Sequence, residues 1–208
     1  MTASQLQRTD LELIRKSLPN AFGYEDYRQL VAQLAKDKAT TGCEQKESLI
    51  NYTILNDKRM ARWDKTLKIP LDVEEKINRL DQKVLWLVLT ESWCGDASPA
   101  LPVMNKIASL TDNIELKLIL RDEHSELMNR FLTKGAMSIP KLISVDVKAG
   151  VILGTWGPRP SKATAMASEY KKEHGLLTPE FKQELQVWYN KDKGENILQD
   201  LLGLLALE

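Results

Sequence analysis

Cys94 stands in the run Ser92-Trp93-Cys94-Gly95-Asp96-Ala97-Ser98-Pro99, between a hydrophobic segment and a helical pattern. A thiol in that place faces unpaired backbone N–H groups and the positive end of a helix dipole, both of which favour negative charge. Such placement lowers a thiol pKa from ~8.5 to roughly 3.5–7.5, and the thiolate is the nucleophilic form. A buried structural cysteine is the alternative, but the adjacent Gly95 and Asp96 favour a turn over a core position. Asp96 could accept the thiol proton or return one to a leaving thiolate. It reads equally as a helix-start carboxylate satisfied by nearby N–H groups, and its charge works against the thiolate. Glu91 could do similar work, but reads as an exposed carboxylate at a strand end. The one other cysteine is Cys43.

These residues need elements to place them. Lys83–Thr90 is a continuous apolar run rich in β-formers, the pattern of a strand covered on both faces. After the cysteine turn, Leu101, Met104, Ile107 and Leu110 recur at helical spacing. A strand at Ile114–Leu120, a helix around Glu123–Leu132 and a strand at Lys141–Asp146 follow, then a turn at Lys148-Ala149-Gly150 and a strand at Val151–Thr155. That order predicts a mixed β-sheet with helices packed on it.

Residues 1–80 read as helices, with stripes at Leu11, Ile14, Leu18 and at Tyr27, Leu30, Val31, Leu34. A third helix is expected to open at Thr41-Gly42-Cys43-Glu44, which fits a capping box and puts Cys43 near a helix N-terminus. Its stripe runs through Leu49, Thr53, Asn56, Met60, Trp63 and Leu67 to Pro70. Beyond Trp156–Pro160 the chain turns helical again, with a start signal at Thr178-Pro179-Glu180 and a last helix over Glu195–Glu208. The expected division is a helical N-terminal extension, 1–80, packed on a core unit with C-terminal helices, 81–208.

Composition limits the function classes. The 208 residues carry 29 Lys+Arg and 29 Asp+Glu, so the clustered positive charge that nucleic acid binding requires is missing. Apolar runs such as Val84–Leu89 and Leu201–Leu207 fall far short of the ~20 residues that cross a bilayer. Asp10 and Glu12 stand where a signal peptide needs an apolar stretch, which points to the cytoplasm. Two cysteines give no disulfide framework. His124 and His174 lie in polar surroundings and, with two distant cysteines, lack metal-finger spacing, so neither a metal nor a cofactor is expected.

Trp93-Cys94-Gly95, entering a helix from a hydrophobic strand, resembles the active site of the thioredoxin superfamily. About 45 residues later, Ser138-Ile139-Pro140-Lys141-Leu142-Ile143 is similar to that family's Ile-Pro segment before its third core strand. Arg121-Asp122-Glu123-His124, Glu126-Leu127-Met128, Phe131-Leu132, Gly135 and Ile139-Pro140 resemble a bacterial thioredoxin-like subfamily with extra N-terminal helices. The resemblance covers roughly residues 83–174. It implies a thioredoxin-like α/β fold with Cys94 as the attacking cysteine, shielded by Trp93, and with Trp93 and Gly95 among the substrate-binding residues. Pro140 would be a cis-proline facing it, and Ile139 would offer its backbone to an extended substrate segment. Trp156, in the loop that borders the family's substrate groove, could make an apolar wall, and Arg159 an anion contact; the Gly and Pro around them could equally serve only to turn the chain.

Two departures shape the expected chemistry. The family's second redox cysteine is replaced by Ala97, so no disulfide forms within the motif and no local thiol resolves a mixed disulfide. The buried carboxylate that many thioredoxins place six residues before the cysteine is replaced by Val88. The expected function is monothiol thiol–disulfide exchange through Cys94 on a protein disulfide or mixed disulfide, released by a low-molecular-weight thiol or by Cys43 as resolving thiol. The competing expectation is a redox-inactive thioredoxin-like module that binds an extended peptide.

Overall fold

The run VLWLVLT holds no polar residue before its last position, so a strand of this composition must be shielded on both sides. In the computed structural model, which describes residues 3–207, it is β1 (Val84–Thr90), and every one of its residues is buried. It gains that cover by lying inside a sheet of order β2-β1-β3-β4. β2 (Ile114–Leu120) runs parallel to it in the register Val84 to Ile114. β3 (Lys141–Asp146) runs antiparallel, with Val88 opposite Leu142, and β4 (Val151–Trp156) pairs antiparallel with β3. The outer edge of β2 is met by Phe22, whose N–H and carbonyl exchange hydrogen bonds of 2.8 and 2.9 Å with Leu118.

Nine α-helices surround the sheet among the described residues: α1 (Ala3–Ser17), α2 (Tyr24–Lys36), α3 (Glu47–Thr66), α4 (Leu71–Asn78), α5 (Ala97–Ala108), α6 (Ser125–Arg130), α7 (Ser161–His174), α8 (Pro179–Asp192) and α9 (Glu195–Leu204). The architecture is the mixed-sheet, thioredoxin-like α/β fold expected, with a helical N-terminal extension. One continuous core joins Tyr27, Met60 and Trp63 of the first helices to Leu87, Met104 and Ile143 around the sheet and to Tyr189 and Leu201 near the C-terminus. α5 is the meeting point, touching β2, α3 and α9.

The boundaries differ from expectation in informative places. α3 begins at Glu47, with Lys46 at its cap, so the capping box at Thr41–Glu44 does not form. The Thr41 hydroxyl accepts instead from the Ser92 N–H at 2.9 Å. A side-chain oxygen close to a helix start was claimed by a distant turn rather than by the local backbone. α6 is shorter than the periodicity suggests, and β4 extends one residue to Trp156. α9 ends at Leu204, and Glu208, expected in that helix, lies outside the described residues.

Candidate functional site

β1 ends at Thr90, and a tight turn carries Cys94 to the threshold of α5. The Cys94 N–H closes that turn on the Glu91 carbonyl at 3.0 Å. Asp96 occupies the helix cap position, though its side chain makes no capping bond. Pro99 falls in the first helical turn, where a missing N–H costs nothing. Opposite, the chain enters β3 through a cis Ile139–Pro140 bond, and the Ile139 carbonyl accepts a hydrogen bond from the Cys94 thiol at 3.2 Å. The loop after β4 closes the far side. Gly157 there, with φ +111°, packs so tightly on the Pro140 carbonyl that a Cβ would collide with it.

The environment of the thiol departs from the sequence expectation. Cys94 is only 7% exposed, and its pKa is pushed up to about 12. Burial is the main cause and the Asp96 carboxylate the second; the Ala97 and Asp96 N–H groups and Arg159 pull the other way. Helix-start donors are therefore present, as expected, but desolvation outweighs them.

Asp96 is a hub rather than a local cap. One carboxylate oxygen pairs with the Arg159 guanidinium at 2.7 Å, and the other accepts from the Tyr189 hydroxyl of α8 at 3.1 Å. Burial raises its pKa, while Arg159, Tyr189 and Lys182 lower it. Arg159 thus meets an anion, but an internal one. Gln186 of α8 donates to the Gly95 carbonyl at 3.2 Å. Tyr189 belongs to the buried spacing Phe181, Leu185, Tyr189 along α8, which a sequence pattern could have revealed; nothing in the sequence marks Gln186.

A second set of contacts holds the turn from the N-terminal side. The Ser92 hydroxyl lies 2.8 Å from that of Thr53 and 3.1 Å from that of Thr40, and it accepts from the Thr41 N–H at 3.0 Å. Asn56 donates to the Ser92 carbonyl at 2.9 Å. Thr53 and Asn56 are the two polar members of an otherwise apolar helical stripe, and that irregularity was the available signal. Glu91 is not the exposed strand-end carboxylate expected. It is fully buried, Oε1 accepts from the Asp122 N–H at 2.9 Å, and Oε2 completes no hydrogen bond. Burial raises its pKa, offset in part by the Thr41 hydroxyl and the Asp122 amide.

A cavity of about 830 Å³ opens over Cys94, with Trp93, Gly95, Asp96, Ile139 and Arg159 in its lining. Arg121 lies over the Trp93 ring at 5.0 Å. Pro140 is buried behind this wall. Two expected site residues stand elsewhere. Trp156 is buried and does not line the cavity, because its indole N–H is drawn to Asp200 at 3.2 Å. Cys43 is exposed on the loop before α3, three residues ahead of the Lys46 cap and outside the cavity lining.

A cysteine between the central strand and the next helix, faced by an Ile-Pro segment entering an antiparallel strand, defines a thioredoxin-like protein. The chain belongs to the thioredoxin family: a family model described as thioredoxin matches residues 42–171. Among solved structures, it is similar to a protein of unknown function from Pseudomonas aeruginosa, at 22% identity and a TM-score of 0.57, over 74% of this chain and 83% of that one. An HIV epitope scaffold is similar at 19% identity and a TM-score of 0.56, over 85% of this chain and 95% of that one. At these identities both speak for the fold. No curated protein matches significantly. No helix among the described residues is long and apolar enough to cross a membrane.

Proposed function

We propose that the protein carries out monothiol thiol–disulfide exchange through Cys94 in a reducing, cytoplasmic setting. The observation that carries this reading is the position of the sulfur. It lines the cavity at the start of α5 and donates to the Ile139 carbonyl at 3.2 Å. In the first step the Cys94 thiolate attacks a disulfide R–S–S–R′, forming Cys94–S–S–R and releasing R′–S⁻. In the second, an external thiolate attacks the R sulfur, the new disulfide departs, and Cys94 is restored. Ala97 supplies no resolving thiol within the motif, so the second thiol is an external one or Cys43. Asp96, beside the sulfur, is the acceptor for the thiol proton, and Arg159 and Tyr189 hold its carboxylate.

Burial makes the resting thiol slow. Raising the thiol from its ordinary value to about 12 cuts its thiolate fraction near neutrality by about three orders of magnitude. Higher intrinsic nucleophilicity recovers only part of that, so exchange should run well below that of an ordinary cysteine. The same property makes Cys94 a poor leaving group, so a mixed disulfide on it should persist.

The raised thiol also favours a second reading, a redox-inactive pocket that binds its partner without covalent chemistry. Incubation with 2-hydroxyethyl disulfide, followed by intact mass and peptide mapping, separates the two. Exchange predicts a slow adduct on Cys94 that external thiol removes, absent in Cys94→Ala and unchanged in Cys43→Ser. Failure of any adduct to form at Cys94, while Cys43 reacts, leaves the binding reading. An adduct whose release slows in Cys43→Ser would make Cys43 the resolving thiol.

A further inference from the structure

The walls around Cys94 are as specific as the thiol itself. From one side α3 presents Tyr52, Leu55 and Arg59; from the other α8 presents Phe181, Lys182 and Leu185. The space between them, about 830 Å³, falls within the range of small-ligand pockets, roughly 300–1,000 Å³. Two backbone carbonyls that an extended peptide would pair with already hold a donor. The Ile139 carbonyl takes the Cys94 thiol, and the Gly95 carbonyl takes Gln186 from α8.

The lining is also unbalanced in charge. Arg59, Arg121, Arg159 and Lys182 face Asp96 as the single carboxylate among the described lining residues. Asp96 is committed to Arg159, and Arg121 pairs at 2.7 Å with Asp122, which lies outside the lining. Among the described residues, neither Arg59 nor Lys182 has a carboxylate within ion-pair distance. The Arg59 guanidinium donates to Asn56 at 3.1 Å and reaches over the Gly95 backbone beside the thiol. In addition, Arg159 Nε is buried and donates to nothing. Arg59 is half-buried and Lys182 exposed, and guanidinium and ammonium groups that meet no carboxylate are matched by oxyanions.

We infer that the disulfide partner of Cys94 is a low-molecular-weight disulfide bearing carboxylate or phosphate groups, held by Arg59 and Lys182, rather than an extended protein strand. This rests on the exchange reading. Cys94–S⁻ displaces one half of the small disulfide as its thiolate and retains the other half in the cavity, its anionic groups against the two cations.

Four probes test it: glutathione disulfide (carboxylates), coenzyme A disulfide (phosphates), uncharged 2-hydroxyethyl disulfide and cationic cystamine. Adduct formation on Cys94 should be at least about tenfold faster with one of the anionic pair than with either of the others. Whichever of the anionic pair leads identifies the oxyanion. That preference should fall about tenfold in Arg59→Gln or Lys182→Gln and shrink as salt is raised. Equal rates with all four probes, or faster reaction with cystamine, overturn the inference while leaving exchange intact. A second measurement guards against failure of the chemistry: calorimetric binding of S-methylglutathione and of desulfo-coenzyme A to Cys94→Ser. If one binds and Arg59→Gln weakens it, yet no probe forms an adduct with the wild type, the exchange reading falls and the anion pocket stands. If neither binds and no anionic disulfide is preferred, the pocket assignment is wrong.

Discussion

The turn that carries Cys94 is gripped from two directions, and the two grips differ in kind. On the α3 side the contacts are neutral, buried and short: Thr40, Thr41 and Thr53 converge on one hydroxyl, that of Ser92, and Asn56 takes its carbonyl. On the α8 side they are charged and partly open to water. Arg159 and Tyr189 meet on Asp96, and the Arg159 side chain keeps 24% of its exposure. Neutral hydrogen bonds sealed from water fix geometry, because leaving any of them unmade is expensive. A charged cluster next to a thiol sets its protonation and little else, since the same ion pair in contact with water contributes modestly to stability. The α3 side therefore holds the backbone of the site, and the α8 side sets its electrostatics.

Two substitutions should separate these roles. Ser92→Ala leaves the Thr41 N–H without its acceptor, whereas Thr40 and Thr53 keep each other and the Thr41 hydroxyl keeps the residue-92 N–H, so one orphaned group costs about 1–3 kcal/mol. The loss in urea unfolding should be about 1–3 kcal/mol, while the pH midpoint for alkylation of Cys94 in the folded protein stays within half a unit or so. A mutant that is nearly as stable as the wild type would remove the distinction. Asp96→Asn should do the reverse to the thiol. The carboxylate is a like charge beside the thiolate and raises its pKa; without it the midpoint should drop from about 12 by roughly one unit or more. Between pH 8 and 10, below both midpoints, the iodoacetamide rate should rise in proportion to the thiolate fraction, and an unchanged rate would assign the raised pKa to burial alone.

How much of this could be seen in the sequence follows the same division. The strands were legible, because VLWLVLT and the runs at 114–120 and 141–146 carry their burial in their composition. The family resemblance set Pro140 opposite Cys94 and gave the Ile139 backbone to a substrate; that the Ile139 carbonyl would take the thiol itself was not foreseen. Side-chain partners were not legible. Asp96 looked like a helix cap because residues 96–99 are all that local sequence shows; its partners arrive from 63 and 93 positions away. Thr41 looked like a cap for the same reason, yet its partner is Ser92, 51 residues on. Trp156 looked like a groove wall until α9 brought Asp200 against its indole. The thiol pKa failed in a different way. Dipole placement can be read from a turn and a helix, but desolvation depends on every element that closes over the sulfur, and α3 and α8 were not foreseeable as walls.

Glu91 offers the finest test of the contrast, since it lies at the end of β1 on the neutral α3 side yet carries a titratable group. Its pKa in the folded protein is raised by burial above that of an exposed glutamate, ordinarily ~4.3. The folded state then binds more protons than the unfolded state between the two values, so stability falls as pH rises through that window. Below it, Glu91 is neutral in both states and costs nothing. Glu91→Gln keeps an oxygen for the Asp122 N–H and removes the charge. The variant should match the wild type near pH 4 and become more stable above the window, by an amount on the order of 1 kcal/mol. Asp146 and Glu180, whose pKa values are lowered, tilt stability the other way but do so equally in both proteins. The difference between two urea titrations at each pH therefore isolates Glu91. A difference that does not grow with pH would mean that the carboxylate is hydrated in solution, and that the α3 side is less sealed than its hydrogen bonds imply.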